Sequence, residues 1–441
     1  MVRCAKEKGK ASSTNEDVIK MIAAPKGTKD LLPDQAYKWH FVEARFRELC
    51  EKYGFKEIRT PAFEYTELFK RGVGDTTDIV QKEMYTFEDL GGRSISLKPE
   101  GTAPAVRSFI EHKLFANVQP TKMYYETPCF RYEKPQAGRL REFHQFGLEI
   151  FGTKDMLADA EVISFANEFL SGLGIGNIEL AINSVGCKKC RAEYRNALRE
   201  YYRPHYDDLC GTCKDRFEKN PMRLLDCKSP QDKELAKGAP SILDYLCEDC
   251  AGAFKELQSN LDSLGIAYTI DPTIVRGLDY YTKTAFEFVS TGIGAQSTVC
   301  GGGRYDDLIE EVGGPSVPGV GFGLGIERLL ILMEENGFII PEPKRTDVFI
   351  AVMGSRAKSA GLGILKDLRD SGVRAEMDLL ARNLKGQLKY AAKLDSRFSV
   401  IIGDDELDRS MVQLKDMELH DQKEIPIENL KNEILTAMGR Q

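Results

Sequence analysis

The chain has 441 residues and a formal net charge of −7, with 61 Lys and Arg against 68 Asp and Glu. Its 42% hydrophobic and 29% charged content is that of an ordinary globular protein, and at roughly 150 residues per domain the length predicts two to four domains. The acidic balance excludes a surface that is basic throughout, so any nucleic-acid contact is local. No apolar run of about 18 residues exists, so no membrane span is expected. The first twenty residues are polar and rich in Lys and Ser, lack the apolar core of a signal peptide, and are expected to be a disordered extension, with the protein cytoplasmic.

Residues 36–52 place Trp39, Val42, Phe46 and Leu49 at helical spacing, and Gly54 follows where a helix-ending glycine belongs. FKEIRTPAFE then reads as a strand broken by Pro61. This order suits a subunit interface and equally a core helix feeding a sheet. In residues 95–113, ISLKPEGTAPAVRSFIEHK, a short strand ends at Pro99 and Thr102 can cap a helix with Pro104 in its first turn. Glu100 at the turn can face an ammonium group or serve only as a local cap.

Residues 126–152, ETPCFRYEKPQAGRLREFHQFGLEIFG, form two extended arms, 126–133 and 142–152, around a basic loop with Lys134, Arg139 and Arg141. A side-chain period of two puts His144, Phe146, Leu148 and Ile150 on one face. Phe143, Gln145, Gly147, Glu149 and Phe151 take the other. With Arg131 and Glu133 on the first arm, the hairpin offers charge and donors to a small ligand. A solvated polar face is the plainer alternative.

From residue 183 to about 263 the sequence turns helical, charged and cysteine-rich, with pairs Cys187/Cys190, Cys210/Cys213 and Cys247/Cys250 and a further Cys227. Thiolates at this spacing can each grip one side of a tetrahedral Zn²⁺, which favours a reducing compartment over disulfides. A helix after Arg191 would hold Cys190 and Cys210 some 20–30 Å apart at about 1.5 Å per residue. The expected quartet is therefore Cys210, Cys213, Cys247 and Cys250, with Cys187, Cys190 and Cys227 as a partial second cluster. Buried free thiols remain the alternative.

RGLDYYTKTAFEFVS, residues 276–290, reads as a turn carrying Arg276, Asp279, Tyr280 and Tyr281, then a strand. CGGGRYDDLIEEVGG, residues 300–314, places three glycines before a short helix, which suits close backbone approach to a ligand. In residues 319–325, GVGFGLG, all four glycines share one face of a strand, a bare strip fit for a flat ligand. A helix over 326–335 follows, with Glu327 and Arg328 in its first turn. Neither a P-loop nor a Rossmann glycine fingerprint occurs.

Residues 341–346 compose a linker. Beyond it strands over 347–353, 373–379, 398–402 and 411–417 alternate with helices over 357–369, 384–394 and 427–438. That alternation predicts an α/β domain with a mainly parallel sheet. Lys385, Lys389 and Lys393 line one helix face, either solvated or set for phosphate.

Together these stretches resemble one family, the histidine–tRNA ligases, which are class II aminoacyl-tRNA synthetases. The likeness runs from about Met21 to the C-terminus. Residues 46–61 resemble the first class motif at the dimer interface, the hairpin the second, and residues 319–330 the third. RGLDYY and CGGGRYDDL resemble the signatures of the histidine enzyme. The resemblance implies an α+β catalytic domain over 21–345 with a mainly antiparallel sheet, a helical cysteine-rich insertion over 186–263, and an anticodon-binding α/β domain over 346–441. It also implies activation of L-histidine by ATP with Mg²⁺, transfer to histidine tRNA, and a homodimer. By that likeness Glu100, Thr102 and Gln145 hold the histidine ammonium, Gly101 is a further histidine-binding position, and Glu149 and Tyr281, beside Tyr280, pair with the ring nitrogens. Arg131 clamps the α-phosphate, Glu133 sits at adenine, Arg328 faces the γ-phosphate, and Arg276 bridges carboxylate and α-phosphate. The cysteine pairs are not general in the family, so structural Zn²⁺ rests on spacing alone. The competing reading is a non-catalytic regulatory subunit of histidine biosynthesis; such paralogues lack the C-terminal domain and degrade the RGLDYY signature.

Overall fold

The computed structural model describes residues 21–74, 77–227, 229–290, 298–342 and 346–439. The extension expected over 1–20 lies outside them. The chain divides into two compact units, Met1–Ile340 and Pro341–Gln441.

The first unit is built on an eight-stranded sheet. Its strands run in the order Lys56–Glu57, Thr121–Phe130, Glu142–Phe151, Gly319–Gly325, Thr298–Arg304, Thr282–Ser290, Ile178–Ser184 and Thr269–Ile270. The two edge strands pair parallel and every interior pairing is antiparallel. Alternation decides which face is covered. Phe146, Leu148 and Ile150 share a buried cluster with Val320, Phe322 and Leu324. Helix Ala36–Lys52 seals that face: Phe46 stacks on Phe146 at 4.2 Å and meets Phe165 and Phe169 of helix Leu157–Gly172 edge-on at 5.5 and 5.2 Å. Gly54 follows the helix at φ +75°, a left-handed position that glycine takes without strain.

The CGGGR stretch is not a turn. It is an interior strand, Thr298–Arg304, whose glycines pair with Gly319–Gly325 on one side and Thr282–Ser290 on the other. At its end Arg304 is wholly buried with Asp159 as its ion-pair partner. It also donates to the carbonyls of Thr153 at 2.8 Å and Asp155 at 3.1 Å. A buried charge is tolerable only with such partners, and this set ties helix Leu157–Gly172 to the sheet.

In the second unit the strand order is Ala375–Met377, Val348–Met353, Phe398–Gly403, Met411–Asp416 and Gln422–Pro426. The first three run parallel and the last two pairings are antiparallel. The expected mainly parallel sheet is thus a mixed one. Residues 404–410 and 417–421 are both links too short for the crossover that a parallel neighbour needs.

Candidate active site

The opposite face of the first unit's sheet, partly covered by a second buried cluster that includes Phe109, Phe151 and Tyr305, carries the chemistry. On the inner hairpin arm Gln145, Gly147 and Glu149 lie opposite to the buried Phe146 and Leu148. Register pairs Gly321 with Glu149 and Gly323 with Gly147. A Cβ on Gly321 would overlap Glu149 Oε2, and one on Gly323 would overlap Gln145 Nε2. Much of the bare strip is therefore filled by side chains rather than by space for a flat ligand. Likewise a Cβ on Gly301 would collide with the Arg276 guanidinium.

A cavity of about 200 Å³ opens on this face. Its walls include Glu100, Thr102, Arg131, Glu133, Gln145, Arg276, Tyr280, Tyr281 and Arg328, all named from the sequence. Gly101 and Glu149 stand behind the wall. Gly101 donates its N–H to Gln145 Oε1 at 3.1 Å. Glu149 is fully buried and accepts from Thr102 Oγ1 at 2.8 Å, from Tyr125 at 3.0 Å and from Tyr305. Burial pushes its carboxyl up to about 8 against the pull of those donors. The Tyr125 ring fills the space above two glycines at once, since a Cβ on either Gly101 or Gly147 would overlap it.

Thr102 does not cap its helix. Glu100 does, accepting the N–H groups of Thr102 and Ala103 at 2.8 Å each, while the Thr102 hydroxyl turns to Glu149. A carboxylate has two oxygens for the first-turn N–H groups and suits the positive helix end better than a hydroxyl. Burial raises the Glu100 pKa and the two N–H bonds oppose it.

Four arginines, Arg131, Arg139, Arg276 and Arg328, converge on the cavity. Arg131 donates to the Pro99 carbonyl at 2.8 Å and lies 5.3 Å over the Phe143 ring. Arg139 pairs with Glu133. Arg328 donates to the carbonyls of Gly138 at 3.2 Å and Thr298 at 2.8 Å. Burial and the neighbouring Arg139 hold its pKa below the ordinary value. Burial also opposes the charge on Arg276, but Glu287 and Tyr281 outweigh it and raise the pKa. Arg276 pairs with Glu287, which takes a bond from Thr298 at 2.7 Å. A cluster of partly desolvated guanidinium groups is a site for a polyanion.

Glu287, Tyr125 and Tyr305 escaped the sequence reading of the site, Phe143 was read only as part of the hairpin face, and Arg139 only as part of the basic loop. Arg139 sat in a loop with no fixed direction, and Glu287 lay inside a run that read only as strand. The Tyr305 signal was present, four residues after Gly301 in a glycine-rich stretch. Glu327 accepts from the His144 N–H at 2.9 Å and faces its ring Nδ1 at 3.0 Å, so it fixes the hairpin as well as lining the cavity.

The expected quartet of Cys210, Cys213, Cys247 and Cys250 does not come together. Cys247 and Cys250 join Cys187 and Cys190, while Cys210 and Cys213 join Cys227 and Asp232, with all candidate ligand atoms of each group within 4.8 Å. Helix Lys188–Tyr202 does separate Cys190 from Cys210. What spacing could not tell is that an insertion leaves and rejoins its host at one place, which brings its first and last cysteine pairs face to face.

Residues 27–329 match the family model described as histidyl-tRNA synthetase, and residues 347–437 match an anticodon binding domain. The chain is 59% identical over 411 residues to a histidine–tRNA ligase of Caldanaerobacter subterraneus subsp. tengcongensis, covering 93% of this chain and 99% of that one. A histidine–tRNA ligase of Clostridium perfringens is 56% identical over 408 residues, 92% and 97% of the two chains. The crystal structure of apo S. aureus histidyl-tRNA synthetase superposes with a TM-score of 0.80 at 41% identity, covering 94% of this chain and all of that one. Relatives at 56–59% identity that are histidine–tRNA ligases over nearly their whole length favour that reading over the regulatory-subunit alternative. The chain belongs to the histidyl-tRNA synthetase family.

Proposed function

We propose that the chain activates L-histidine with ATP and transfers the histidyl group to the 3′ end of histidine tRNA. The observation that carries this reading is the convergence of four arginines on the cavity that also exposes Glu100, Gln145 and Tyr281. One wall suits a polyphosphate and the other an amino acid.

Glu100 and Gln145 offer oxygens to the histidine ammonium, next to Thr102. Tyr281 on the cavity wall and Glu149 behind it would pair with the two ring nitrogens once Glu149 gives up one of its present donors; neutral imidazole has one donor and one acceptor. A site that uses both leaves buried groups unpaired when another amino acid enters. Arg276 and Arg131 bring the carboxylate and the α-phosphate together, and Arg328 neutralises the distal phosphate. The carboxylate oxygen attacks the α-phosphorus, pyrophosphate leaves, and the tRNA 3′-hydroxyl then displaces AMP from the histidyl-adenylate. No side chain becomes covalent; positioning and cationic stabilisation of the pentavalent phosphorus lower the barrier. Mg²⁺ enters with ATP as part of that substrate, and Glu133 and Glu327 are cavity carboxylates of the oxygen type it takes.

The basic loop around Lys134, Arg139 and Arg141 and the C-terminal unit would contact tRNA. Exposed Phe63, Tyr65 and Phe87 on a small sheet of strands Phe63–Tyr65, Ser94–Leu97 and Thr86–Glu88 support a homodimer. The free cysteines among the described residues support a cytoplasmic setting, and no described helix is long and apolar enough to cross a membrane. ATP–pyrophosphate exchange tests the reading: exchange should require histidine, and exchange without it, or none with it, would overturn the assignment.

A further inference from the structure

The three C-x-x-C pairs share one local geometry. Cys187, Cys210 and Cys247 each precede a helix in extended conformation, with ψ of 180°, 157° and 165°. Their partners Cys190, Cys213 and Cys250 are buried in the first turn. Each pair thus turns two sulfurs to the same side of a helix start, where backbone N–H groups favour negative charge.

At the base of the insertion two such turns face each other. Cys187 Sγ lies 3.6 Å from Cys190 Sγ and 3.9 Å from Cys247 Sγ. A tetrahedral zinc with bonds of about 2.3 Å spaces its sulfurs by about 3.8 Å, whereas a disulfide would draw two sulfurs to about 2.05 Å. The Cys247 N–H donates to Cys190 Sγ at 3.1 Å. In the middle of the insertion, Cys210 Sγ lies 3.8 Å from Cys227 Sγ, and Cys227 Sγ lies 3.2 Å from Asp232 Oδ2. Asp232 is 1% exposed, and no cation pairs with it among the described residues. A carboxylate buried among thiols with no countercharge is a costly core choice, but it is an ordinary fourth ligand for zinc.

We propose that the insertion holds two structural zinc ions, one in a closed Cys187–Cys190–Cys247–Cys250 site and one in a Cys210–Cys213–Cys227–Asp232 site. Soft thiolates in tetrahedral array select this ion over Mg²⁺ or Ca²⁺. Each ligating thiol releases its proton to solvent as the ion binds. The base ion pins the starts of helices Lys188–Tyr202 and Glu248–Ser263 together. The second ion braces helix Gly211–Lys219, beyond which Asn220 donates to Asp279 Oδ1 at 3.1 Å and Arg223 to the Arg276 carbonyl at 2.7 Å.

Metal analysis of the full chain, purified without chelator, is expected to give about two zinc ions per chain. The double substitution C190S/C250S should leave one, and C213S/C227S should also leave one. Zinc below roughly half an equivalent per chain, with the thiols titrating as free, would overturn both sites. Iron with strong visible absorption would overturn the choice of ion. Should either double variant fail to fold, cobalt loading of the unaltered chain decides. Two absorbing components are expected, the stronger thiolate charge-transfer band coming from the four-sulfur site. A single component would overturn the Cys210–Cys213–Cys227–Asp232 site.

Discussion

Two residues carry most of the electrostatic consequence. Glu149 has an ordinary carboxyl value of 4.5 when exposed and about 8 when folded. The folded state therefore holds the proton more tightly. The stability this contributes is complete below about pH 4.5, is lost as pH rises toward 8, and is gone above it. The full span is worth roughly 4–5 kcal/mol at about 1.36 per unit. Denaturant unfolding at pH 5, 7 and 9 should show the unaltered protein weakening relative to E149Q, which keeps a neutral carboxamide throughout; parallel curves would contradict the shift. For R276A the expected loss in pyrophosphate exchange is about 100- to 1,000-fold, the scale of one preorganised charge stabiliser, with tRNA affinity nearly unchanged. An unaltered exchange rate would remove Arg276 from the chemistry. Its role was legible in RGLDYY, but its pairing with Glu287 was not, because a strand's sequence does not say which neighbour crosses its face.

At the level of elements, the glycine strand was readable to the residue, and so was the helix after it, because periods of 2.0 and 3.6 are written directly in GVGFGLG and IERLLILMEE. Its purpose was less readable. The strip is bare so that Gln145 and Glu149, projecting from the neighbouring arm, can lie flat on it. G323A should push the Gln145 amide off the strip and raise the KM for histidine about tenfold or more, with a smaller change in the KM for ATP. This reads the two substrates separately in the same exchange assay. Equal changes would mean that the substitution disturbs the whole sheet.

Over the whole molecule, the division into two units and most helices were legible from composition and periodicity. Strand direction in the C-terminal sheet and the grouping of cysteines were not, because both depend on which distant segments meet. Lys385, Lys389 and Lys393 all stand exposed on helix Leu384–Lys393. If they meet phosphates, replacing all three with Ala should flatten the salt dependence of tRNA binding by about 0.7–0.9 in log–log slope per lysine. Pyrophosphate exchange, which needs no tRNA, should stay at its unaltered rate. A slope that does not move would leave the row as a solvated face.

Tyr125 couples Gly101 to the distant strand that carries Gly147 and Glu149. Its ring occupies the room that a side chain at Gly101 or Gly147 would need, and its hydroxyl holds Glu149. Enlarging either glycine therefore needs a compensating change at Tyr125, and a smaller residue there leaves Glu149 held by Thr102 and Tyr305 alone.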